Sequence, residues 1–149
     1  MESHPTPNKA GFIILRPHRT RYFCLILRAY TNWGFAKGEI EKGEDPLAAA
    51  FRETKEETSL VDLDLHWGPI FVQTPSSFGT ICRYYMALTN GVGIHLPISP
   101  ELGHPEHHEF RWVGFDEAKS MLAPKLKIVV NWCEAVLSRN DVEKENAHQ

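Results

Sequence analysis

Residues 38–60 read GEIEKGEDPLAAAFRETKEETSL. Asp45 followed by Pro46 marks a helix start, because aspartate caps the free amides and proline fits the first turn. Leu47, Ala50, Phe51, Thr54 and Thr58 then recur at helical spacing, which predicts a helix over 46–58 with those residues on its buried face. Glu53, Glu56 and Glu57 fall on an adjoining face of one turn, with Arg52 beside them. Carboxylates spaced this way lie ~5–6 Å apart, where like charges destabilise a helix unless a cation sits among them. Hard oxygen donors suit Mg²⁺ or Mn²⁺, and Mg²⁺ takes one or two carboxylates together with waters and substrate phosphates. The stretch points to phosphate chemistry; the bland alternative is a solvated acidic helix face.

The rest of the chain supports a local rather than global role for this acidity. Residues 38–60 hold seven acids and three bases, while the whole 149-residue chain has a net charge of −3. The remainder is therefore close to neutral, and no basic block favours duplex nucleic acid. Cys24, Cys82 and Cys133 are scattered through apolar stretches, which predicts buried free thiols in a reducing compartment. The opening MESHPTPNKAG lacks an apolar signal core, and no apolar run approaches a membrane span. A cytoplasmic protein is expected.

Short β-rich runs at Gly11–Arg16 and Tyr22–Arg28 predict two buried strands around a polar turn at 17–21. Further strands are expected over 66–74, 80–89 and 109–113, with the turn PSSFG between the first two and a Gly- and Pro-rich loop over 90–104. Asp116 is expected to cap a short helix, FDEAKSML, and a last helix over 126–137 to pack through Ile128, Val129, Trp132 and Val136. The reading is one α/β (α+β) domain over 1–149, with 1–9 and 140–149 as loose tails.

The box over 38–60 resembles that of the Nudix hydrolases, G-x5-E-x7-R-E-U-x-E-E-x-G-U with U aliphatic. Here it reads Gly38, Glu44, Arg52, Glu53, Thr54, Glu56, Glu57, Ser59, Leu60. Thr54 stands for an aliphatic residue, and Ser59 for the glycine that ends the helix; a left-handed serine there costs roughly 1 kcal/mol. Trp33-Gly-Phe-Ala-Lys37-Gly38 resembles the W-x-x-P-K-G approach of the asymmetrically cleaving dinucleoside polyphosphate hydrolases, with Ala36 in place of proline. Glu106-His107 before Arg111-Trp112 resembles the H-E-H and R-W-L stretches of the same branch.

The resemblance implies an α/β/α sandwich, with a mixed sheet between helices, that uses a divalent metal to hydrolyse nucleoside polyphosphates. It implies metal ligands at Gly38, Glu53, Glu56 and Glu57, with Glu106 as a further candidate. Glu53 and Glu57 are favoured as direct ligands, Glu56 as sharing the site or orienting a water. Glu53 and Glu106 are rivals for the general base. Arg52 is expected to pair with Glu44 or Glu53, and Lys37 to reach a phosphate oxygen. Arg28, Arg83 and Lys125 are other cationic candidates, each read first as surface charge.

A base would need an aromatic platform, for which Phe78, Tyr84 and Tyr85 are candidates; the two tyrosines alternate, so at most one faces the cleft. Trp33 and Trp112 read as structural. His104, His107 and His108 invite a zinc reading, but spacing in a Pro-containing loop supports instead a cleft edge with Glu106 at the metal and a histidine near phosphate. The leading substrate is diadenosine tetraphosphate, giving ATP and AMP. Alternatives are a nucleoside triphosphate pyrophosphatase, an RNA 5′-pyrophosphohydrolase, or a non-catalytic binding module. The sequence is compatible with a monomer or a homodimer.

Overall fold

Alternation along three strands builds two cores, one on each face of a mixed sheet. The computed structural model describes residues 4–75, 78–91 and 93–147, the last six by backbone alone. Strand β1 (Lys9–His18) lies at the centre, antiparallel to β2 (Arg21–Ala29) and parallel to β6 (Cys82–Leu88). Its odd-numbered Ile13 and Leu15 point to one core; its even-numbered Ala10, Phe12 and Ile14 point to the other. Burial on both faces explains why β1 and β2 read as unbroken apolar runs. Three short strands complete this part of the sheet: β3 (Asn32–Gly34) pairs with β2, β4 (Ala36–Glu39) with β1, and β5 (Phe71–Gln73) with β6. Strand β7 (Glu109–Val113) pairs with the other edge of β2.

Helix α1 (Pro46–Thr58) covers one face, through buried Ala49, Ala50, Thr54 and Thr58 and half-buried Leu47 and Phe51. Its bounds match the predicted ones, and the Asp45 side chain accepts from the amides of Leu47 and Ala48. Helices α2 (Phe115–Met121) and α3 (Pro124–Ala147) close the other face. The result is the expected α/β/α sandwich. Gly11 permits one tight approach: a Cβ there would lie 2.1 Å from the Ala36 carbonyl oxygen. Strand β4 therefore lies close against β1, and β4 leads straight into the 38–60 segment.

Several expectations are corrected. Residues 4–8 are not a loose arm: the Ile81 amide donates to Asn8 Oδ1 at 2.8 Å, and Gln73 Nε2 donates to the Pro5 carbonyl. Lys9 already belongs to β1. At the other end α3 runs to Ala147, through residues expected to fray; 148 and 149, like 1–3, lie outside the described residues. The strand over 66–74 shrinks to Phe71–Gln73 because Gly68 takes a left-handed turn (φ 83°) just before Pro69. Residues 76 and 77 of the PSSFG turn lie outside the described residues. Gly114, not Asp116, caps α2. Ile128 is 40% exposed, and Val130 and Cys133 take its place in the core.

All three cysteines are buried and unpaired. Burial raises the Cys24 thiol to about 12 and the Cys82 thiol to about 11, so both stay protonated. Among the described residues, no helix is long and apolar enough to cross a membrane.

Candidate active site

Helix α1, strand β4 and the loop over 97–106 enclose a cleft of about 1030 Å³, at the upper end of the ~300–1,000 Å³ typical of small-molecule sites. Lys9, Lys37, Gly38, Arg52, the three box glutamates and Glu106 all line it. The fold thus brings Glu106, about a third of the chain length beyond Glu53, into the same cleft as the α1 acids.

Arg52 organises the loop that enters the helix. Its Nε and Nη2 donate to the two oxygens of Glu44 at 2.8 and 2.9 Å, and Nη2 also donates to the Glu39 carbonyl. Its Nη1 donates to Glu53 Oε1 at 2.9 Å and reaches Glu56 at 3.3 Å. The expected pairing is present with both candidate partners. The Arg52 hydrogen bonds hold the Glu44 carboxyl down to about 2, and the fork keeps Arg52 charged.

The three box glutamates differ sharply. Glu56 is the outermost, with a side chain 57% exposed. Glu53 is mostly covered, and desolvation raises its carboxyl despite Arg52. It lies against the Gly38 backbone, where a Cβ would fall 2.1 Å from its carboxyl carbon; any side chain at 38 would push Glu53 away. Glu57 is buried. Its Oε2 accepts the Lys37 amide at 2.8 Å, while Oε1 has no partner. Burial, then the nearby Glu106 charge, raises the Glu57 carboxyl to about 9.

An unpartnered carboxylate oxygen in a cleft of hard donors fits a divalent cation, which would satisfy the orphan atom and offset the crowded charge. Among the described residues, no three acidic, histidine or cysteine side chains converge tightly enough to hold a metal alone. Magnesium does not need them to, since waters and substrate phosphates complete its shell.

Other candidates fall elsewhere. Tyr84 is buried in the core beneath α3, against Phe35, and Tyr85 in the core beneath α1, between Phe12 and Phe71. Neither offers a ring face to a base, which corrects the expectation of a platform on β6. Phe78 is fully exposed on its loop and does not line the cleft. Arg28 pairs with Glu109 at 3.1 Å, and Arg83 bonds Gln73 and stacks 3.9 Å over Phe71. Lys125 is exposed at the start of α3. Trp33 and Trp112 pack beneath Arg111 and Arg16. His104 and His108 stack on each other outside the cleft, whereas His107 turns inward beside Glu57. Burial lowers the His107 imidazole to about 4. Two features escaped the sequence reading: Lys9 at the cleft mouth, hidden in a presumed tail, and the Pro97–Glu101 wall, which carries no motif.

The asymmetrical bis(5′-nucleosyl)-tetraphosphatase of Rattus norvegicus is 30% identical over 122 residues, 72% of this chain and 79% of that protein. Its counterpart from Caenorhabditis elegans is 29% identical over 117 residues, covering 73% and 80%. An RNA pyrophosphohydrolase of Pelagibacter ubique is 24% identical over 132 residues, covering 79% and 82%. In fold, a C. elegans Ap4A hydrolase binary complex superposes with a TM-score of 0.76 at 24% identity, over 87% of this chain and 98% of that one. The NUDIX domain model matches residues 5–133, a span that includes β1, the box, the Glu106 loop and the first turns of α3, and the chain belongs to the Nudix family.

Proposed function

We propose that the chain is a Mg²⁺-dependent hydrolase of dinucleoside polyphosphates that splits diadenosine tetraphosphate and water into ATP and AMP. The observation that carries the chemistry is the Glu57 carboxylate: buried, half-satisfied, and set beside Glu53 in a cleft with Lys9 and Lys37 at its wall. The named relatives support the substrate class.

Glu53 and Glu57 would hold the cation, with Glu56 at the outer rim. Once bound, it would neutralise phosphate oxygens and make water easier to deprotonate. Lys37 and Lys9 would position the polyphosphate by charge. Glu53 is confined by Arg52 and by the Gly38 backbone, so Glu106, which lines the same cleft, is the freer of the two rivals to take a proton from the attacking water. Arg52 maintains the site without needing to touch substrate, since all its donors are engaged by Glu39, Glu44, Glu53 and Glu56.

The Pelagibacter relative supports a second reading, removal of pyrophosphate from an RNA 5′ end. Chromatography of products decides between them. Diadenosine tetraphosphate should give ATP and AMP in equal amounts. Consumption of 5′-triphosphate RNA with the dinucleotide left intact would reject the first reading.

A further inference from the structure

Among the described residues, three buried side-chain polar atoms lack a hydrogen-bond partner: Thr54 Oγ1, Glu57 Oε1 and His107 Nδ1. The last two face each other at 4.0 Å. Buried polar atoms are nearly always partnered, so two orphans in mutual view form one unmade contact rather than two unrelated defects. Neither group is free to leave. The Glu57 side chain is 2% exposed and the His107 side chain 8%. Glu57 is anchored by the Lys37 amide at its other oxygen. The His107 segment is docked by the next residue, whose amide donates to the Arg28 carbonyl at 2.7 Å.

We infer that His107 is a positioning residue whose Nδ1–H donates to Glu57 Oε1 and fixes the carboxylate with its remaining lone pairs toward the cleft. Once metal displaces its proton, Glu57 is a carboxylate and only accepts, so the imidazole must then be the donor, which selects the Nδ1–H tautomer. Small side-chain rotations close 4.0 Å to hydrogen-bond length. His107 does not itself line the cleft, whereas Glu106 before it does. The histidine therefore acts from behind the carboxylate, and the glutamate from in front. Removing such a support behind a metal-holding carboxylate typically lowers affinity ~10–100-fold. The inference rests on the reading of Glu57 as a metal-holding group.

Two measurements on the full chain test it, neither involving turnover. Long-range ¹H–¹⁵N spectra of the Mg²⁺-loaded chain read the His107 tautomer; Mn²⁺ titration followed by electron paramagnetic resonance reads affinity without substrate. His107→Phe keeps the bulk and loses the donor, whereas His107→Asn places an amide nitrogen close to the former Nδ1. The expected results are an Nδ1–H tautomer, ~10–100-fold weaker Mn²⁺ binding in H107F, and recovery of most of that loss in H107N. An Nε2–H tautomer with bare Nδ1, or wild-type affinity in H107F, overturns the inference alone. A wild-type chain that binds no Mn²⁺ overturns the metal reading as well. Should H107F fail to fold, the tautomer and H107N still decide.

Discussion

Glu57 shows how one residue can work against the fold it belongs to. Burial raises its carboxyl from 4.5 to about 9. Between those values the metal-free folded state binds a proton that the unfolded chain releases, so stability is greatest below pH 4.5 and falls as pH rises toward 9. His107 has the opposite sign: burial lowers it from 6.5 to about 4, so its contribution is present above pH 6.5 and lost as pH falls through that range. The interval from pH 6.5 to about 7.5 therefore reports mainly Glu57, since the buried thiols add a slope of the same sign only as pH nears the ~8.5 of unfolded cysteine. Urea denaturation of chelator-treated protein should show stability falling there, by at most about 1.4 kcal/mol per pH unit. Glu57→Gln should flatten that slope while abolishing activity, and Mg²⁺ should flatten it in the wild type, because metal replaces the proton. A slope unchanged in the variant would show that Glu57 is already ionised without metal.

At the scale of elements, α1 was readable to the residue because its signals are local. Asp45 and Pro46 set its start, the apolar spacing its packed face, and the glutamate triplet its cleft face. The two departures from the box pattern have visible consequences. Ser59 ends the helix in the left-handed conformation, φ 67°, where glycine is preferred. Thr54 is wholly buried with its hydroxyl unpartnered, under the sheet it packs on. Thr54→Val keeps the shape and removes the orphan, so thermal and urea unfolding should report a gain of about 1–2 kcal/mol with activity retained. A loss of stability would mean that the hydroxyl has a partner after all. The helix α3 boundary went unread for the opposite reason: the polar residues beyond 137 carry no apolar periodicity, yet the chain continues helical from the turns already docked.

Across the whole molecule, strand existence followed from composition, but the site depends on pairings that no local pattern encodes. β1 pairs with β2 and β4 along one edge and with β6 along the other. Gly11 lets β4 approach, and β4 then presents the Lys37 amide to Glu57 and the Gly38 backbone to Glu53. The β2–β7 ladder carries Glu106 and His107 to the same place. Motif spacing had singled out the glutamates and Glu106; it did not reveal that Tyr84 and Tyr85 are core residues, since alternation assigns faces without saying that both faces are covered. The central claim is that Glu53 and Glu57 hold the cation that drives hydrolysis. Crystals soaked in Mn²⁺ and examined by anomalous scattering test it most directly. The account predicts one strong peak in the cleft, within ~2.5 Å of both carboxylates. A peak elsewhere, or none in the presence of nucleotide, would contradict it.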